Sequence, residues 1–153
     1  MNVTGFHDAY VAAIPIEIAP DLIISIASLP AIAILKIFAW VDRRNRNKKD
    51  AIDLQALLCQ YHVADNLARI YDEEIVIMEA VEYNIELAGA HLLGRDAYAL
   101  ATQPTRLRLK ELLSQSDLVE RLVEDMAGAI RTEDDALSLS RARLEQFIKG
   151  FNL

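Results

Sequence analysis

IPIEIAPDLIISIASLPAIAILKIFAWVDR, residues 14–43, contains both kinds of secondary structure the chain is expected to form. Its first half is rich in isoleucine, whose branched side chain fits a pleated strand, and Pro20-Asp21 interrupts the apolar run as turn punctuation. The spacing predicts a β-hairpin over 14–28. In the first arm Ile14, Ile16 and Ile18 alternate with Pro15, Glu17 and Ala19, whereas Leu22, Ile23, Ile24 and Ile26 make the second arm read as buried on both faces. Two strands this apolar are not stable alone, so the reading requires that something cover them.

From Ser28 onward the period changes. Ser28 can cap a helix, Pro30 fits the first turn, where a missing N–H costs nothing, and the helix is expected to run to about Arg43. Ile32, Leu35, Phe38 and Ala39 recur at helical spacing as its apolar face, with Trp40 beside them. Lys36 is the only charge between Asp21 and Asp42. Asn45 to Asn47 break the pattern, and a second helix begins near Lys48 with Ile52, Leu54, Leu57 and Leu58 as apolar positions. Asp50 and Asp53, three apart, share one face of it. The remaining chain reads as helices at 63–71, 73–82, 84–101, 104–114, 117–131 and 133–149. Val119, Leu122, Val123, Met126 and Ile130 form a stripe, Thr132 with Asp135 makes a weak capping box, and Gly150 marks the end of the last helix. The expected fold is therefore mainly α, a helical bundle of about seven to eight helices with a short N-terminal β-hairpin. It forms a single domain over 1–153, divided into a hairpin part at 1–28 and a helical region at 29–153.

Composition narrows the class. A chain of 153 residues has room for one core, and 53% hydrophobic with 25% charged residues excludes disorder as the main state. With 5 Gly and 4 Pro, loop-dominated β and collagenous architectures lack their turn residues. The single cysteine, Cys59, can form neither an intramolecular disulfide nor a thiolate zinc cluster, which points to a reducing, cytoplasmic setting, and its position reads as a buried thiol. The net charge of −7 disfavours a general grip on nucleic acid or anionic lipid. Arg43, Arg44, Arg46, Lys48 and Lys49 nevertheless form a local cationic segment on this acidic chain. The N-terminal residues MNVTGFHDAY lack the basic region and small-residue cleavage site of a signal peptide. The apolar run from Leu22 to Leu35 is about 14 residues, short of the roughly 20 a membrane span needs, so no membrane association is expected. Neither a dinucleotide nor a P-loop glycine pattern occurs, and His7, His62 and His91 have no metal-ligand spacing.

In a helix otherwise free of charge, Lys36 either snorkels to the surface or points into a cleft where it can meet a phosphate. The stretch SLPAIAILKIFAWVDRRNRNKKDAIDLQALL, residues 28–58, resembles the lysine-helix and (K/R)D-x-x-DL region of nucleotidyltransferase-like proteins of the AbiEii type, the toxin class of bacterial type IV toxin-antitoxin systems. NVTGFHDAY at 2–10 and AGAHLLGRDA at 88–97 are similar to a bacterial subgroup of the same proteins. The resemblance implies a partial nucleotidyltransferase-like α+β fold in which 1–28 is a remnant of the sheet. It implies that Lys36 serves the nucleotide phosphates, and that Asp50 pairs with that lysine or with a catalytic water or hydroxyl. Asp53 caps or orients, while Arg43 and Arg44 form a rim that attracts a triphosphate or an RNA end at the 43–49 segment. Gly94-Arg95-Asp96 is assigned to packing, with Gly94 breaking its helix.

The family's Gly-Ser motif, its D-x-D pair and the third carboxylate are needed to hold Mg²⁺ on the NTP. Neither Gly-Ser nor D-x-D occurs here, and Glu17, in an I-x-I-E-I strand, is the one candidate for the third acid. Mg²⁺ and NTP are thus implied for a longer protein of which this is the C-terminal portion, inactive alone and not expected to bind either tightly. The alternative from a different class is a non-enzymatic helical interaction or regulatory protein. Both expect self-association, or a partner protein, through residues 14–28.

Overall fold

The computed structural model describes residues 5–72, 75–128 and 135–152. Strand β1 (Ile14–Ala19) pairs antiparallel with β2 (Leu22–Ile26), and the two form the only sheet among the described residues. Pro20 sets one turn residue and Asp21 takes the left-handed conformation at φ 62°, which Asp tolerates. Ile14 faces Ile26 and Ile16 faces Ile24, so these four isoleucines share one face, whereas Pro15 faces Ser25 and Glu17 faces Ile23 on the other. The register shifts between Glu17 and Ala19. Every residue of both strands is exposed, Ile23 to 64%. This corrects the expectation that the second arm is buried on both faces: β2 has β1 on one side, and no described element covers either face.

Nine α-helices surround the core among the described residues. The first, α1 (Phe6–Val11), was not signalled by any periodic run; tertiary contacts hold it. Its Ala9 is buried, and the Asp8 carboxylate, 3% exposed, accepts hydrogen bonds from the Thr102 backbone N–H and hydroxyl, 3.3 Å each. That carboxylate meets the start of α7 (Gln103–Leu113). Helix α2 (Leu29–Arg43) has the predicted ends, with Pro30 in its first turn, although the Ser28 side chain makes no capping bond. Its inner face differs from the expected one. Ala33, Ile34, Ile37 and Trp40 enter the core with Phe38, while Ile32, Leu35 and Ala39 are only half-buried. The helix is apolar on two sides, and a 3.6-residue period cannot say which side faces inward.

Helix α3 (Lys49–Gln60) buries Leu54 and Leu58, but leaves the predicted core residue Ile52 41% exposed. Where the sequence reads as helices at 63–71 and 73–82, the described residues form a 3-10 turn (Tyr61–Val63), α4 (Leu67–Asp72) and α5 (Ile75–Ala80), with residues 73 and 74 outside the described residues. The Asn66 amide donates to the carbonyls of Tyr61 and Ala64, 2.9 Å each, and so holds the chain reversal. Helix α6 (Ile85–Leu100), capped by the Asn84 side chain, crosses the centre of the molecule. It runs unbroken through Gly94, as the helix read at 84–101 expects and contrary to the reading that this glycine breaks it. The glycine serves close approach instead. A Cβ on Gly94 would run into the Phe147 carbonyl, and one on Gly150 into that of His91, so α6 and α9 (Ala136–Gly150) touch backbone to backbone.

In α8 (Ser116–Ala127) Leu122, Val123 and Met126 are buried as the stripe predicts; Ile130 and the Thr132 capping box lie outside the described residues. Leu54, Leu58, Leu92, Leu93, Phe147 and Phe151 are fully buried in one continuous core. No helix among the described residues is long and apolar enough to cross a membrane. The mainly α architecture with a short N-terminal hairpin is as the sequence predicts.

Candidate functional site

The half-buried side of α2 brings the resembling residues together. Ile32, Leu35 and Ala39 line a cavity of about 760 Å³ with Phe38, Phe6 from α1, and the polar groups Lys36, Asp42, Arg43 and Asp50. A second cavity of about 420 Å³ begins on the other side of Lys36, lined by Leu29, Ile32, Leu57 and Tyr61 among others. Lys36 and Ile32 line both. Lys36 stands on α2 and both aspartates on the first turns of α3, so the spacing of three that put them on one face also aims both at the same ammonium. The Lys36 Nζ donates to Asp53 Oδ2 at 2.6 Å and to Asp50 Oδ1 at 3.3 Å. Arg43 Nη2 reaches both Asp50 oxygens, at 3.0 and 2.8 Å. Asp50 is 2% exposed, whereas the Asp53 side chain is 51% exposed. The hydrogen bond to Asp53 raises the Lys36 pKa above its ordinary value, helped by Asp50 and opposed by partial burial. Two carboxylates thus favour the charged form of this amine.

The other sequence-derived candidates are placed elsewhere. Arg44 folds back: its Nη1 donates to the Val41 carbonyl at 2.7 Å, and its guanidinium lies 5.7 Å from the Trp40 ring centroid. It is not among the residues lining the cavity. Glu17 is exposed on the hairpin, on the face opposite the four isoleucines. No group of three or more His, Cys, Asp or Glu converges to hold a metal among the described residues. Asp50 and Asp53 converge on the Lys36 ammonium, with Arg43 on Asp50 as well, and cations already facing these two carboxylates leave a donor set that does not fit Mg²⁺. Cys59 is half-buried at the surface of α3, not in the core as expected, and burial pushes its thiol up. That disfavours the thiolate.

Two features of the site were not read from the sequence. Asp125 on α8 accepts from the Trp40 indole N–H at 3.0 Å and pairs with Lys48 at 2.6 Å, tying α2 and the start of α3 to α8. No local signal links positions 85 residues apart. Phe6 and Asp42 also line the cavity; in the sequence Phe6 is marked only by its place in the NVTGFHDAY stretch, and Asp42 only as the end of an uncharged run. No family model matches the chain, and neither a curated protein nor a solved structure does.

Proposed function

We propose that this protein is a helical interaction module that oligomerises through its N-terminal hairpin. One observation carries the reading: a ribbon two strands wide carries Ile14, Ile16, Ile24 and Ile26 on one face, each exposed, and adds no residue to the core. Fully burying an isoleucine is worth about 1.5–3 kcal/mol, and these four are roughly half exposed, so covering them supplies about 3–6 kcal/mol towards association. The test is amide hydrogen exchange of residues 14–26 at rising protein concentration, read beside the mass in solution. Protection that grows with a larger mass is expected. A monodisperse monomer whose hairpin amides exchange slowly would refute the reading.

A second reading is favoured by the meeting of Lys36, Arg43 and Asp50 at a cavity large enough for a nucleotide. Here the chain is the C-terminal region of an AbiEii-like nucleotidyltransferase. It contributes phosphate-facing helices and a helical domain, and its hairpin is the edge of the family's sheet. A triphosphate would draw Lys36 away from the exposed Asp53 while Asp50 keeps Arg43 in place. Weak ATP or GTP binding that falls with salt and is lost in Lys36→Ala is expected by titration calorimetry. Salt-independent binding would contradict it.

A further inference from the structure

We infer that the hairpin joins two copies of this chain edge to edge, β2 pairing antiparallel with the β2 of the second copy about a two-fold axis at Ile24. This rests on the proposed self-association and names both its partner and its edge. The two edges of the ribbon differ in chemistry. Strand β1 carries Pro15, which has no N–H to donate to a further strand, and the charged Glu17. Strand β2 is LIISI, with no proline, glycine or charge, and so has none of the devices that blunt an exposed edge.

Charge placement selects the same edge. Joining β1 to β1 about this segment brings the two Glu17 carboxylates onto neighbouring central strands, and like charges that face each other across a strand pair destabilise it. Joining β2 to β2 leaves Glu17 on the outer strands, and the antiparallel sense sends the two Asp21 turns to opposite ends. The pairing is also self-complementary. About Ile24, Leu22 meets Ile26 and Ile23 meets Ser25, and a two-fold perpendicular to the sheet keeps the isoleucines of both copies on one common face. The result is a four-stranded sheet, past the three strands that an independently stable sheet needs. A second copy is thus a partner that supplies what the ribbon lacks, an unblunted, uncharged edge of equal length.

The whole chain is used for the test, in a Cys59→Ser background, by sedimentation from micromolar to several hundred micromolar and by disulfide trapping with a mild oxidant. The expected mass is twice the 17.1 kDa of the chain. Ile24→Cys is expected to cross-link, because facing residues of an antiparallel pair lie within about 5.5 Å, inside disulfide reach. Ile16→Cys is not, because the two β1 strands stand three strand spacings apart, about 14 Å. Ile24→Lys sets two ammonium groups at the axis and is expected to give a monomer with unchanged helical circular dichroism. A dimer that cross-links through Ile16→Cys and not Ile24→Cys overturns β2 pairing but leaves association through the hairpin standing. A dimer that survives Ile24→Lys with freely exchanging hairpin amides overturns both, as does a monomer at every concentration.

Discussion

Asp50 is held in a position that admits 2% of its surface to solvent, facing one ammonium and one guanidinium. Removing it leaves both cations facing a partly buried gap, whereas removing the half-exposed Asp53 returns Lys36 to water. Asp50→Ala is therefore expected to cost about 2–4 kcal/mol in urea unfolding, and Asp53→Ala less than about 1 kcal/mol. A second set of residues governs alkaline stability. Tyr61 donates to Asp96 at 2.7 Å, and burial first, then this bond, pushes its pKa well above the ordinary 10.0. Lys36, bound to Asp53 and Asp50, is shifted upward from 10.5. Both protons are held more tightly in the folded chain, so the stabilisation is complete below those ordinary values and is lost as pH rises past them. The melting temperature is expected to be level from pH 7 to about 9 and to fall above about 10, with a shallower fall in Tyr61→Phe. A melting temperature that does not fall above pH 10 would contradict this. Lys36 was legible as a lone charge in an apolar helix, and the two aspartates by their spacing. The bond from Tyr61 to Asp96 was not, because it joins a short turn to the middle of α6.

Among the elements, α6 and α9 are joined most closely, and glycine makes that possible. At Gly94 and Gly150 any Cβ meets backbone, which cannot yield as a flexible side chain can. Gly94→Ala is expected to lower stability by more than about 3 kcal/mol, read as a melting shift, since alanine's gain in helix propensity is at most about 1 kcal/mol. An exposed control is Gly128→Ala, where the added methyl meets only ordinary contacts beyond 3.4 Å and little change is expected. Helix existence was largely readable from the 3.6-residue period, as in α2, α3, α6, α7 and α8. The first helix was not. With six residues, α1 carries too few turns for periodicity to register and is held by Ala9 and Asp8 against the body, whereas the runs read at 63–71 and 73–82 overlap α4 and α5.

For the molecule as a whole, the hairpin adds nothing to the core cluster, none of whose members lies between 14 and 28. Replacing residues 14–26 by a short Gly-Ser linker is therefore expected to keep the helical circular dichroism and to move the melting temperature of the dilute protein by no more than about 3 °C. Concentration-dependent association is expected to disappear with it, as sedimentation would register. A large loss of helix would mean that the ribbon supports the body.

The sequence by itself determined that the chain is mainly helical, that a proline-aspartate turn makes a hairpin within 14–28, and that Asp50 and Asp53 share one face of their helix. These follow from local period, turn chemistry and spacing, which act within a few residues. Only the tertiary structure decided which side of α2 faces the core, that Arg44 lies on Trp40 away from the cavity, and that β2 stands uncovered. Burial depends on what distant elements pack against a face, and a two-sided apolar segment carries no record of which neighbour arrives.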